Sequence, residues 1–184
     1  DSRTDEDTSD ASLPLRGGLS CSACLWSAKA LRAVLVEKMP RRMKAKERQH
    51  IAEEVFSSES TPCAESRFPQ QLVRLDEGLG QLGQLGQLKV GYYDFDDIRG
   101  HKSSSLTSEH FQLLGTSDAA RDEVHRTCRT LTRAFRATMI DKVAAHKTRI
   151  YGAITDYWLC VRQAQLCKAE DVPPGGDDDE EEEL

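Results

Sequence analysis

Asparagine is missing from this 184-residue chain altogether, so it holds no acceptor for an N-linked glycan. Aromatic residues make up only 6% and hydrophobic residues 38%, which keeps any core modest and implies that part of the length stays outside it. Long apolar runs are also scarce. The longest extend over a few residues, against the roughly 20 needed to cross a bilayer, so this reading contains no transmembrane segment. The chain opens at Asp1 without a methionine, the form a secretory precursor takes once its signal peptide is removed.

Charge is abundant instead, and it is unevenly placed. Residues 1–10 carry five acids and one arginine, while Asp177 to Glu183 is an unbroken run of seven carboxylates behind Pro173, Pro174, Gly175 and Gly176. Neither stretch has enough apolar surface to offset its ordering entropy, so residues 1–17 and 171–184 are expected to be disordered acidic arms. Without residues 1–10 and 177–184 the body keeps 24 Lys and Arg against 19 Asp and Glu, about +5, although the whole chain is formally −6. Mobile acidic arms of this kind screen a basic body. Basic residues interleaved with base-stacking aromatics are missing, which argues against nucleic acid as a partner. The carboxylate run would hold calcium only weakly, for lack of a fixed cage, and no cofactor is expected.

Six cysteines, at 21, 24, 63, 128, 160 and 167, are the even count that an oxidising compartment produces in a small chain. Cys21 and Cys24 lie three residues apart and Cys160 and Cys167 seven apart, so on α-helices each pair shares a face. If the first and last helices run antiparallel, only nested pairing fits: Cys21 with Cys167 and Cys24 with Cys160, leaving Cys63 with Cys128. Other connectivities stay formally open. The spacings disagree, since one turn is ~4.5 Å and two turns are ~10.5 Å, while bridged Cα atoms sit within about 7 Å. One of the last two cysteines is therefore expected at or beyond a helix end. Each nested bridge closes a loop worth on the order of 4 to 5 kcal/mol.

Apolar residues at helical spacing outline four helices. Cys21, Cys24, Ala28, Leu31 and Leu35 mark the first, which ends before Pro40. Residues 44–57 form the second, with Ile51, Ala52, Val55 and Phe56 on one face. The third starts near Ser117 and Asp118 and carries Val124, Cys128, Leu131, Phe135 and Met139. Ile150, Ile154, Trp158, Cys160 and Leu166 mark the fourth. Three copies of Gly-Gln-Leu from Gly80 to Leu88 fit neither helix nor strand, and residues 78–116 read as an irregular insertion in which 88–98 could form a short strand.

Cys21-Ser-Ala-Cys24 at the opening of a helix, a third cysteine about forty residues on, a fourth within a long helix, and Leu159-Cys160 followed six residues later by Cys167 resemble the canopy family. The likeness follows the cysteine register from Cys21 to Cys167, strongest at 21–35 and 128–167. It implies an all-α, saposin-like, disulfide-stapled helical bundle over residues 18–170, with the nested bridges. It further implies residence in the lumen of the endoplasmic reticulum and work as a co-chaperone for secreted or receptor clients, beside a lumenal Hsp90-type chaperone. Family members usually end in a retrieval tetrapeptide. Here Glu181, Glu182, Glu183 and Leu184 keep only its final Glu-Leu.

Enzymatic readings are weaker. Cys21-Ser-Ala-Cys24 invites a thiol oxidoreductase, yet no buried strand precedes it and four further cysteines stand ready to pair with it. His50, His101, His110, His125 and His146 show neither metal spacing nor a nucleophile motif, so no catalytic or metal site is expected. A saposin-like protein that binds lipid between its helices is the main alternative to the folding helper. Arg41, Arg42, Lys44 and Lys46 form a candidate partner-binding face, or else a solvated linker after Pro40.

Overall fold

The computed structural model describes residues 18–75, 90–100 and 118–172. The two terminal acidic segments, the Gly-Gln-Leu run and the retrieval candidate Glu181–Leu184 lie outside the described residues. Helix α1 spans Gly18–Lys38 and α2 spans Ala45–Val55. A 3-10 turn at Glu65–Arg67 leads to strand β1, Leu72–Leu75, and strand β2, Gly91–Asp94, runs straight into the short α3, Phe95–Gly100. Helices α4, Asp118–Ala134, and α5, Arg136–Ala145, follow. The chain closes with a 3-10 turn at Ile150–Gly152, a π-helix at Tyr157–Gln163 and a last 3-10 turn at Ala169–Asp171.

Helix α1 is the axis of the molecule, because α2, α4, β2, the Ile150–Gly152 turn and the π-helix all pack on it. A helix enclosed in this way buries residues around most of its circumference. Leu31, Val34 and Leu35 join Ala52, Val55, Phe56, Leu131, Met139, Ile154 and Leu159 in the larger apolar cluster. Leu19, Ala23 and Ala30 meet Phe68, Leu72, Tyr92 and Val124 in the second. By length and composition α1 is apolar enough to cross a membrane, contrary to the sequence reading of short runs only. Most of it is buried inside the fold, so its apolar character belongs to a core helix.

The expected third helix is broken at Phe135, whose φ of −112° and ψ of 16° leave the helical region. Hydrogen bonds continue on both sides, from Phe135 N–H to the Leu131 carbonyl and from Met139 N–H to the Phe135 carbonyl. The bend lets Val124 and Cys128 serve the second cluster while Met139 and Val143 turn to the first, where α5 packs on α2. Arg48 ties these two helices together: Nε and Nη2 donate to the carbonyls of Val143 and Ala144 at 3.2 and 2.7 Å, closing the C-terminal end of α5.

An all-α description is too narrow. The structure is mostly helical, but β1 and β2 form an antiparallel pair in the register Leu72 with Asp94, Val73 with Tyr93, Arg74 with Tyr92 and Leu75 with Gly91. The apolar run Leu72-Val73 escaped the sequence reading because a four-residue strand spans too few positions for its period to show. Part of the supposed irregular insertion is accordingly regular, at 91–100. The expected fourth α-helix is replaced by turns and a π-helix.

Three bridges hold this arrangement: Cys21 to Cys167, Cys24 to Cys160 and Cys63 to Cys128, with Cα atoms 4.7, 5.8 and 5.8 Å apart. The first two tie α1 to the C-terminal segment in nested order. Replacing Cys24 and Cys160 together by serine leaves Cys21–Cys167 to close the long loop and opens only the short one of about ten residues between the nested bridges, so it should cost about 3 kcal/mol. Replacing Cys63 and Cys128, separated by 65 residues, should cost about 4 kcal/mol. Urea unfolding of the two oxidised double variants against the parent checks both the size and the order.

Candidate functional site

Helix α1 and the C-terminal segment meet with a mismatch that the backbone absorbs. In the π-helix the N–H of Ala164 reaches the carbonyl of Leu159, five residues back. Gln165 then takes a φ of 52°, the left-handed region that a non-glycine residue rarely enters. The reversal sends the N–H groups of Leu166 and Cys167 back to the Cys160 carbonyl at 2.9 and 3.0 Å. Cys167 therefore sits beside Cys160 rather than two turns away, and both sulfurs reach one turn of α1. All six cysteines are bridged, so Cys21-Ser-Ala-Cys24 holds no free thiol.

A second face of α1 carries Ser22 and Trp26 against β2. In the antiparallel pairing the backbone groups of Tyr92 point away from β1, and an open strand edge would leave them bare. Trp26 Nε1 donates to the Tyr92 carbonyl at 2.8 Å, and the Tyr92 N–H donates to Ser22 Oγ at 2.8 Å. Two helix side chains thus stand in for a third strand. Gly91 makes the approach possible, since a Cβ there would lie 2.9 Å from Ser22 Oγ. The Tyr92 hydroxyl donates to Glu123, whose other oxygen accepts from Arg74 Nη1 at 2.8 Å. Burial, and then the Glu123 carboxylate, push the Tyr92 phenol far above its usual range; burial also raises Tyr93.

Above this junction lies an open groove of about 620 Å³ between α1, β2 and the C-terminal segment. Its floor is mainly apolar, from Leu25, Trp26, Val90 and Tyr93, and Lys29, Arg32, Asp156 and Asp171 stand around it. Lys29 Nζ lies 5.1 Å from the Trp26 ring centroid. Arg32 donates to Asp156 Oδ1 at 2.6 Å, and its guanidinium sits 5.6 Å from the Tyr151 ring. The ion pair fixes one rim, and Tyr151 beside it stays 64% exposed. A smaller hollow of about 260 Å³, between Glu65, Phe68, Asp118, Arg121, Asp122 and His125, is more polar.

No family model, curated protein or solved structure matches this chain. The site is therefore read from its own chemistry. Among the described residues no cluster of His, Cys, Asp and Glu has the geometry to hold a metal. His146 Nε2 is hydrogen-bonded to Thr148 Oγ1 and the Arg149 carbonyl, and His125 meets Phe68 edge-on, so both rings serve local structure. Arg41, Arg42, Lys44 and Lys46 are exposed in and just after the α1–α2 connection, away from the groove lining.

The sequence reading missed the groove entirely. Its one available signal was the scarcity of aromatics, which makes Trp26 and the adjacent Tyr92 and Tyr93 conspicuous, but nothing in the sequence joins positions 66 residues apart. The Tyr92 phenol yields a pH test. A phenol whose folded pKa lies above its unfolded value near 10 contributes stability that is complete below pH 10 and lost as pH rises beyond it. Stability of the parent should fall steeply above pH 10, and Tyr92→Phe should flatten that fall without abolishing it, because Tyr93 is shifted the same way. Denaturant midpoints between pH 8 and about 11 measure the slope.

Proposed function

We propose that this chain is a non-enzymatic folding helper of the secretory lumen, whose groove receives short apolar segments of incompletely folded clients. One observation carries the reading: an open, mainly apolar groove rests on a helix and strand that disulfides and partly buried hydrogen bonds hold in place. A preformed site loses little entropy on binding, and an apolar floor with a polar rim accepts many sequences. Three disulfides are compatible with a secreted or lumenal protein. Commitment of Cys21 and Cys24 to distant partners favours stapling over thiol exchange. The cysteine register from Cys21 to Cys167 adds its likeness to the canopy family, and with it a saposin-like fold, receptor or secreted clients and an Hsp90-type lumenal partner.

The same apolar floor would accept an acyl chain, which makes a lipid-binding protein the competing reading. Both are separated by one comparison. The oxidised chain should slow the aggregation of a reduced, unfolding secretory protein. Leu25→Asp, which places a charge on the floor, should weaken that client binding about tenfold or more. Val36→Asp, at a residue 41% exposed and outside the groove, should leave it unchanged. Flotation of the parent with anionic vesicles, lost in Leu25→Asp while aggregation is unaffected, would instead establish lipid binding.

A further inference from the structure

The end of the molecule farthest along α1 from the nested bridges gathers positive charge from two distant parts of the chain. Arg41, Arg42, Lys44 and Lys46 lie in and just after the connection from α1 to α2, and all four are exposed. Lys147 and Arg149 are exposed in the turn that follows α5. About a hundred residues separate the two stretches, and Arg48 joins them: its Nη1 donates to the Met43 carbonyl at 2.5 Å, while Nε and Nη2 hold Val143 and Ala144. The second stretch is itself fixed, since His146 bonds both Thr148 and the Arg149 carbonyl. Six cationic residues are thereby carried on one end by a partly buried, hydrogen-bonded scaffold.

Among the described residues no carboxylate forms an ion pair with these cations. The ion pairs of the described residues engage Arg32, Arg67, Arg74 and Arg133 instead. Glu47, the acid nearest in sequence, accepts a hydrogen bond from the backbone N–H of Lys44. Six cations on one end, with no ion-pair partner among the described residues, repel one another, and a multivalent anion relieves that repulsion while releasing its own counterions.

We infer that this end is a binding site for a sulfated polysaccharide. A polymer that carries many sulfates can engage several cations at once, drawn from the Arg41–Lys44 connection and the turn beside it. Arginine guanidinium groups pair with such oxyanions through two parallel N–H donors. A partner rich in Asp and Glu is the poorer fit. It would compete with the seven carboxylates that this chain itself carries at Asp177–Glu183, which act at intramolecular concentration. A higher density of charge per unit length lets sulfate prevail over that competitor. The site is separate from the groove and does not depend on what the groove binds.

Retention of the full oxidised chain on immobilised heparin-type polysaccharide tests the inference, read as a dissociation constant over a series of salt concentrations. The expected result is binding that weakens steeply with salt and disappears on the desulfated polysaccharide. Replacing Arg41, Arg42, Lys147 and Arg149 together by serine should weaken it on the order of 10-fold or more and flatten the salt dependence. Replacing Arg126, Arg129, Arg162 and Lys168 by serine, all exposed and outside both stretches, removes the same four charges without touching the site and should change affinity far less. Equal losses in the two variants would reduce the effect to net charge and overturn the assignment. Binding of poly-glutamate or duplex DNA as tight as that of the sulfated chain would overturn the choice of ligand. Leu25→Asp should bind the polysaccharide as the parent does, which keeps this outcome distinct from failure of the groove reading.

Discussion

Everything in this fold depends on two disulfides being able to leave one turn of one helix and reach a second segment whose cysteines are spaced more than twice as far apart in sequence. Cys21 and Cys24 present their sulfurs about one turn apart on α1. A regular α-helix through Cys160 and Cys167 would miss one of them. The π-helix, the left-handed Gln165 and the return of the Cys167 N–H to the Cys160 carbonyl bring Cys167 back beside Cys160, within reach of the same turn of α1. An irregular backbone is tolerable here because its carbonyl and N–H groups still find partners, and because covalent bonds oppose its relaxation to a regular helix.

With its first turns anchored on one side, α1 offers its remaining faces to everything else. One face closes the larger apolar cluster, a second takes α4 through the smaller cluster, and a third reaches β2 through Ser22 and Trp26. The last contact has two effects. It satisfies the outer edge of a two-stranded sheet that is too small to be stable by itself, and it sets Trp26 at the floor of the groove. Groove and scaffold are therefore one structure, so changes to the edge hydrogen bonds act on both. Electrostatics follow a similar division: the cations near the groove are engaged by Asp156 and by aromatic rings, whereas those at the far end of α1 have no ion-pair partner among the described residues.

Sequence alone went furthest where periodicity is long. Twenty-one residues of α1 and eleven of α2 repeat their apolar positions often enough to be read as helices. The bend at Phe135 and the strand at Leu72–Leu75 were not legible, because each depends on what packs against it rather than on local propensity. The cysteine spacings stated the geometric conflict and required that one partner lie past a helix end. Which backbone device would resolve it lay beyond the reach of spacing.

Composition, the even cysteine count and the placement of charge determined a small, mostly helical, disulfide-tied body with acidic ends, because these quantities are additive along a chain. Tertiary structure alone decided that Trp26 meets Tyr92, that Arg48 joins Met43 to Val143 and Ala144, and that two basic stretches share one end. Each of those contacts links residues whose separation in sequence carries no local signal. Only closing the chain upon itself brings their hydrogen-bonding groups within reach.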